Sequence, residues 1–303
     1  MVSLIIDNKP VEVEAGITIL EAADKAGIDI PTLCRHEDIT PLGTCGMCMV
    51  EVDGSSDYTR ACITEAKDGM HIRTHTSELR RIKRKLLELV LAAHPDDCLK
   101  CIRHGECELQ KLAERFEIRD FEYERYTRGL PIDTSARGIV RDMNKCIGCG
   151  RCVEVCQGLQ TVKAISFFER GSDTIVSPGA HTDMGSGVCV NCGQCVVYCP
   201  VGALHEKEQI DDVWAAIENP ELHVAAQIAP AVRVALGEEF GMAPGELVID
   251  KIYEALRLLG IDTVFDTNFS ADLTIMEEGT EFLDRLSKGG AFPLITSCSP
   301  GWI

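Results

Sequence analysis

The sequence predicts a multidomain chain that passes from small α+β modules to α/β layering, on three observations. Residues 146–199 carry the spacing C-x2-C-x2-C-x3-C twice, at Cys146, Cys149, Cys152, Cys156 and at Cys189, Cys192, Cys195, Cys199. Over residues 1–78, two alternating runs and a helical stretch lead into a glycine-rich cysteine loop. From residue 211 onward cysteines thin out, and apolar strand runs alternate with helical stretches, the pattern of a parallel α/β layer.

Composition bounds the answer further. At 303 residues the chain exceeds one ordinary domain. Its net charge of −18 argues against nucleic acid as a partner and suits solubility or docking to a basic surface. The start, "MVSLIIDNKPVEVEAG", has no basic region, long apolar run or small-residue cleavage site, and no twin-arginine signal is present. No stretch approaches the ~20 apolar residues of a membrane span. A cytoplasmic protein with no membrane partner is expected. There, sixteen cysteines in small loops argue for metal rather than disulfides.

In the first module, 1–78, "VSLIID" and "VEVE" joined at "NKP" read as a hairpin. "TILEAADKAG" follows as a helix with Thr18 as N-cap and Gly27 as its stop. Cys34, Cys45, Cys48 and Cys62 then stand as C-x10-C-x2-C-x13-C, with "LGTCGMC" wrapping closely round a small cluster and "MVEVDG" returning as a strand. The arrangement looks like a β-grasp 2Fe–2S ferredoxin domain, although its spacing departs from the plant type C-x4-C-x2-C. A four-cysteine zinc site is the alternative.

The second module, 79–125, opens with "ELRRIKRKLLELVLAAH", a helix whose Arg80, Arg81, Lys83, Arg84 and Lys85 read as a solvated face or a match to acidic neighbours. His94, Cys98, Cys101 and Cys107 follow as H-x3-C-x2-C-x5-C, and "ECELQKLAERFEI" reads as a helix. One His with three Cys suits a 4Fe–4S cluster or structural zinc equally. Its place between other cluster motifs favours the cluster. His104 lies inside the loop, and spacing prefers His94.

The third module, 126–210, holds the two cysteine quartets, the spacing of a bacterial two-cluster 4Fe–4S ferredoxin. Three cysteines on one tight loop reach three irons of one cube, and the fourth points to the other. This assigns Cys146, Cys149, Cys152 and Cys199 to one cluster, and Cys189, Cys192, Cys195 and Cys156 to the other. Gly148, Gly150 and Gly193 let backbone N–H groups turn toward the sulfurs. "GIVRDMNKC" supplies a strand and turn, and "AISFFER" and "TIVSP" a hairpin. "GALHEKEQIDDVWAAIE" reads as a linker and helix.

In the last module, 211–303, "HVAAQIAP" reads as a buried strand, "GELVIDKIYEALRLLG" as a helix stopped by Gly260, and "DTVFDT" as a strand. "MEEGTEFLDRLSKGG" is again helix and "FPLITS" strand. An α/β sheet ending there is uncovered, so a truncated longer protein is expected.

With these motifs in this order, the chain resembles the N-terminal part of an iron-only (FeFe) hydrogenase, of the cytoplasmic NAD(P)-linked multisubunit type. "QIAPAVRVALGEEFG", "VFDTNFSADLTIMEE" and "PLITSCSPGW" look like the start of its catalytic domain. The resemblance implies an arm carrying one 2Fe–2S and three 4Fe–4S clusters, which feeds an H-cluster (a 4Fe–4S cube plus a diiron unit) in the full-length protein. It also implies a hetero-oligomer with a flavin-containing NAD(P)H-oxidising subunit, a ferredoxin, or both. The family's loop "TSCCPGW" has two adjacent cysteines, a cube ligand and a proton relay. Here Cys298 is followed by Ser299, so one of those roles is altered. The alternatives are a non-catalytic electron-transfer subunit, the arm of a formate dehydrogenase or complex I-like enzyme, and a zinc-binding regulatory protein.

Overall fold

The computed structural model describes residues 1–294; Cys298, Ser299 and the second half of "FPLITS" lie outside the described residues. Two compact units divide the chain, Met1–Lys207 and Glu208–Ile303.

The first unit starts with β1 (Val2–Ile6) and β2 (Lys9–Val13), antiparallel, whose Leu4, Ile6, Val11 and Val13 alternate inward. The turn is Asp7-Asn8, both at positive φ (47° and 66°), so Lys9 and Pro10 belong to β2 rather than to the turn. Asp and Asn tolerate that left-handed backbone, which matches the strand twist. In α1 (Ile19–Lys25), Thr18 and Glu21 form a capping box, with Thr18 N donating to Glu21 at 2.7 Å and Glu21 N to Thr18 Oγ1 at 3.2 Å. Its Ile19, Leu20, Ala22 and Ala23 fill the core under the hairpin.

β3 (Met49–Val52), β4 (Thr59–Arg60) and β5 (His71–Arg73) complete a five-stranded sheet in the order β2-β1-β5-β3-β4. Sequence reading missed β5, which pairs parallel with β1 and antiparallel with β3. Three residues are too few to show alternation.

Next come α2 (Ser77–Ala92), capped by Thr76, and α3 (Glu108–Arg115). The basic face of α2 is matched to acids at Glu78–Arg81, Arg84–Glu88 and Lys85–Glu88. Lys83 departs from the expected solvated face, being 3% exposed.

β6 (Ile139–Arg141) and β9 (Leu204–Glu206) pair antiparallel and close the two-quartet region at its ends. Between them lie α4 (Arg151–Glu154), the expected hairpin of β7 (Ser166–Phe168) and β8 (Ile175–Ser177), and α5 (Gln194–Val197). Buried Arg141 holds the insert in place. It donates to Asp133 at 2.9 and 3.1 Å, to Val176 O at 3.0 Å and to Thr182 O at 3.2 Å. One apolar core runs from Leu33 and Met47 through Leu87 and Leu109 to Val155, Val196 and Leu204. The second and third modules therefore pack with the first cysteine loop.

In the second unit, α6 (Ile210–Glu218) precedes β10 (Ala225–Ile228), which pairs parallel with β11 (Thr263–Asp266). The expected parallel layer is thus present. Between these strands stand α7 (Pro230–Ala235) and α8 (Ile249–Leu258), and α9 (Thr267–Lys288) follows. β10 is not the buried strand expected. Only Ile228 of its residues is buried, because the small core of Ile228, Val248 and Ile252 covers one face of two strands. α9 starts earlier than "MEEGT", capped by Asp266, and residues 292–294 of "FPLITS" are not strand.

Candidate iron–sulfur sites

All the cysteines among the described residues are free thiols. Those at 34, 48 and 62 are 1–2% exposed, and the Cys48 and Cys62 sulfurs lie 3.3 Å apart. The Cys34 sulfur meets those of Cys45 and Cys62, so the four thiols form one knot. Hydrogen bonds from Cys45 and Cys62 hold the Cys34 thiol far below its ordinary pKa, while bonding to Cys34 pushes Cys45 and Cys62 up. Cys48 is lowered to about 7 by its bond with Cys62. The loop bends this tightly because Gly43 and Gly46 adopt φ of 65° and 68°.

His94, Cys98, Cys101 and Cys107 line one cavity of about 390 Å³. The Nδ1 of His94 is buried there without a hydrogen-bond partner, and burial lowers the imidazole pKa, favouring the neutral, ligating form. His104 is exposed and does not line the cavity.

Each quartet has a sulfur of the other among its neighbours. Cys149 is pushed up to about 12, first by burial and further by the sulfurs of Cys146 and Cys199. Cys195 is also pushed up to about 12, by burial and then by Cys189, Cys192, Cys156 and Cys199. Buried thiols of this kind ionise only beside strong positive charge, which iron supplies. Backbone N–H groups already aim at sulfur, from Gly148 to Cys146 at 3.4 Å, Asn191 to Cys189 at 3.5 Å and Ala164 to Cys156 at 3.2 Å. Asn191, at φ 54°, is the pseudo-repeat counterpart of Gly148. Sequence reading passed over it, although aligning the two quartets would have found it. The free thiols, the orphaned imidazole nitrogen and the N–H donors all fit iron–sulfur clusters. Among the described residues no His, Cys, Asp and Glu group is arranged for a single metal ion.

Three further residues tie the sites together. Thr44 Oγ1 donates to Cys149 O at 3.2 Å, joining the first cysteine loop to the third module. Arg151, after Cys149, holds Glu108, after Cys107, at 2.6 and 2.7 Å. Arg128 donates to Met143 O at 3.0 Å and its charge faces Cys146. No helix among the described residues is long and apolar enough to cross a membrane.

Comparison with known proteins places four family matches in the same order. Residues 1–77 match the 2Fe-2S iron-sulfur cluster binding domain, and 83–121 the NADH-ubiquinone oxidoreductase-G iron-sulfur binding region. Residues 145–203 match the 4Fe-4S dicluster domain, and 222–303 the iron only hydrogenase large subunit, C-terminal domain. The whole chain is 46% identical to NADP-reducing hydrogenase subunit HndD of Solidesulfovibrio fructosivorans, covering 54% of that protein. It is 37% identical to iron hydrogenase 1 of Clostridium pasteurianum, covering 53%. The chain thus spans about half the length of these relatives. A solved NAD+-reducing [NiFe]-hydrogenase in the H2-reduced state superposes with TM-score 0.64 at 29% identity, over 68% of this chain and 87% of that one. Iron–sulfur electron-transfer domains of the hydrogenase and complex I-like kind, followed by a hydrogenase-specific segment, make this chain a homologue of the iron-only hydrogenase large subunits.

Proposed function

We propose that this chain is the electron-transfer arm, and the beginning of the active-site domain, of an iron-only hydrogenase that interconverts protons, electrons and H2. The crosswise grouping of Cys199 with Cys146, Cys149 and Cys152, and of Cys156 with Cys189, Cys192 and Cys195, carries this reading. Two interleaved quartets hold two cubes at a short, fixed separation, as electron relays require.

In this reading Cys34, Cys45, Cys48 and Cys62 hold a 2Fe–2S cluster, and His94, Cys98, Cys101 and Cys107 a 4Fe–4S cluster. The paired quartets hold two more 4Fe–4S clusters. The bound clusters supply one-electron chemistry. The chain supplies spacing, N–H donors from Gly148, Asn191 and Ala164 that favour the more negative state, and apolar walls that keep water out. Contacts from Thr44 and from Glu108 both end beside Cys149, so the N-terminal and His94 sites are two ways into one cube. A branched relay of this kind suits a flavin-containing NAD(P)H-oxidising subunit and a ferredoxin as donors, within a cytoplasmic hetero-oligomer. Cys298 and Ser299 would belong to the H-cluster loop of the full-length protein.

Anaerobic H2 evolution from reduced viologen tests the assignment, in the chain given the diiron cofactor and in a version extended to the length of its relatives. Hydrogen from the extended protein supports the proposal. A cluster-loaded extended protein that makes none favours the non-catalytic electron-transfer alternative.

A further inference from the structure

We propose that the cavity at the start of α2 is a binding site for a small anion carrying a phosphate or diphosphate group. The cavity, about 370 Å³, is walled by Arg80, Lys83 and Arg84 of α2, by Arg115 of α3, and by Thr74 and His75. Four basic side chains face one space, with Glu117 the one carboxylate on the wall, in a chain of net charge −18. No cysteine lines this cavity.

Lys83 is the telling residue. It is 3% exposed, its Nζ donates only to Thr74 O at 3.3 Å, and it forms no ion pair among the described residues. A buried ammonium with no carboxylate bonded to it is costly, and burial depresses its pKa to about 8, although Cys48, Asp7 and Asp29 act on it from a distance. An anion in the adjoining cavity supplies the missing counter-charge. Arg80 has no side-chain partner among the described residues and is exposed at the mouth. Arg84 is oriented by Glu88 and Phe116 O, and Arg115 by Asp29. Thr76, the N-cap of the sixteen-residue α2, lies on the same wall and adds the positive end of that helix.

The charge and the donors select the ligand class. Arg84 and Arg115 already hold Glu88 and Asp29, so Arg80 and Lys83 carry the unmatched charge, which a phosphate group matches more fully than a single carboxylate. The forked guanidinium donors also fit phosphate oxygens. The volume holds such a group, and the acidic chain repels a long polyanion.

Calorimetric titration of the iron-loaded chain at constant ionic strength tests the site, with pyrophosphate, ADP and a glutamate hexapeptide as probes. Saturable one-site binding of pyrophosphate is expected, weakened about tenfold or more by Lys83→Met and by Arg80→Ala. Arg80 is exposed, so its variant reads the site even if Lys83→Met fails to fold. ADP binding as tightly as pyrophosphate identifies the phosphate group as the whole ligand, and tighter ADP binding identifies a nucleotide. The proposal is overturned if neither phosphate probe saturates, if Arg80→Ala leaves the affinity unchanged, or if the peptide alone binds.

Discussion

The Arg151 guanidinium grips both carboxylate oxygens of Glu108, at 2.6 and 2.7 Å, and so binds the residue after Cys107 to the helix that carries Cys152. Arg151 is 4% exposed, and its positive charge lies in the field of Cys149 and Cys34. One cation therefore serves three cysteine sites. It is a positioning residue, bonded to Glu108 and acting on the clusters through its charge.

Replacing Arg151 by Met should lower stability by about 2–3 kcal/mol, because Glu108 loses its partner and the arginine its bidentate fit. The same change should lower the reduction potential of the cube at Cys149, since negative charge on that cluster loses a nearby cation. Denaturant unfolding and EPR-monitored redox titration read the two effects separately. An unchanged potential would leave Arg151 a purely structural role.

Cys199→Ser and Cys156→Ser should each disturb the quartet remote in sequence. Cys199→Ser should perturb the cluster at Cys146, Cys149 and Cys152, and Cys156→Ser the one at Cys189, Cys192 and Cys195. Iron analysis of the fully loaded wild type should give about 14 irons per chain, and loss of either cluster should remove about four. Iron near half that value, with matching zinc, would contradict the N-terminal assignments.

His94→Cys should retain a 4Fe–4S cluster at lower potential, because a thiolate adds negative charge where a neutral imidazole stood. His94→Ala should yield less iron or a cluster labile to chelators. His104→Ala should alter neither, since His104 is exposed outside the cavity. Loss of the cluster in the His104 variant would reverse the ligand assignment.

Asp133 should contribute an acid-sensitive share of stability. Burial alone raises its pKa, but hydrogen bonds from Ser135 and the Met184 N–H, together with Arg141, outweigh burial and lower it to about 2. A carboxylate depressed on folding contributes stability that is full above its unfolded pKa and fades as pH falls through the folded one. The window is therefore about pH 4 to 2, and the contribution about 2 kcal/mol. Asp133→Asn should remove this dependence and lower the unfolding midpoint at pH 7.

Much of the site was legible in the linear order. Ligand spacing carries chemistry because a few residues of covalent chain decide which sulfurs can reach one cluster. Thr18 announced the first helix by the same local logic, through a capping box spanning four residues. The hairpin turn was misplaced by one step, since Asn8 and Pro10 both signal turns, and only the pairing of Ile6 with Lys9 decides between them.

What the sequence determined by itself was the inventory: four groups of candidate ligands, a short helical or strand context for each, and the family they resemble. The tertiary structure decided how the groups meet. β5 and β9 are three residues long and exist only because β1, β3 and β6 offer them hydrogen bonds from far along the chain. Lys83 looked like one more surface cation in a basic run, and the packing of α2 buried it beside the cavity. Local chemistry follows from covalent spacing. Burial and pairing depend on partners that no single stretch of sequence contains.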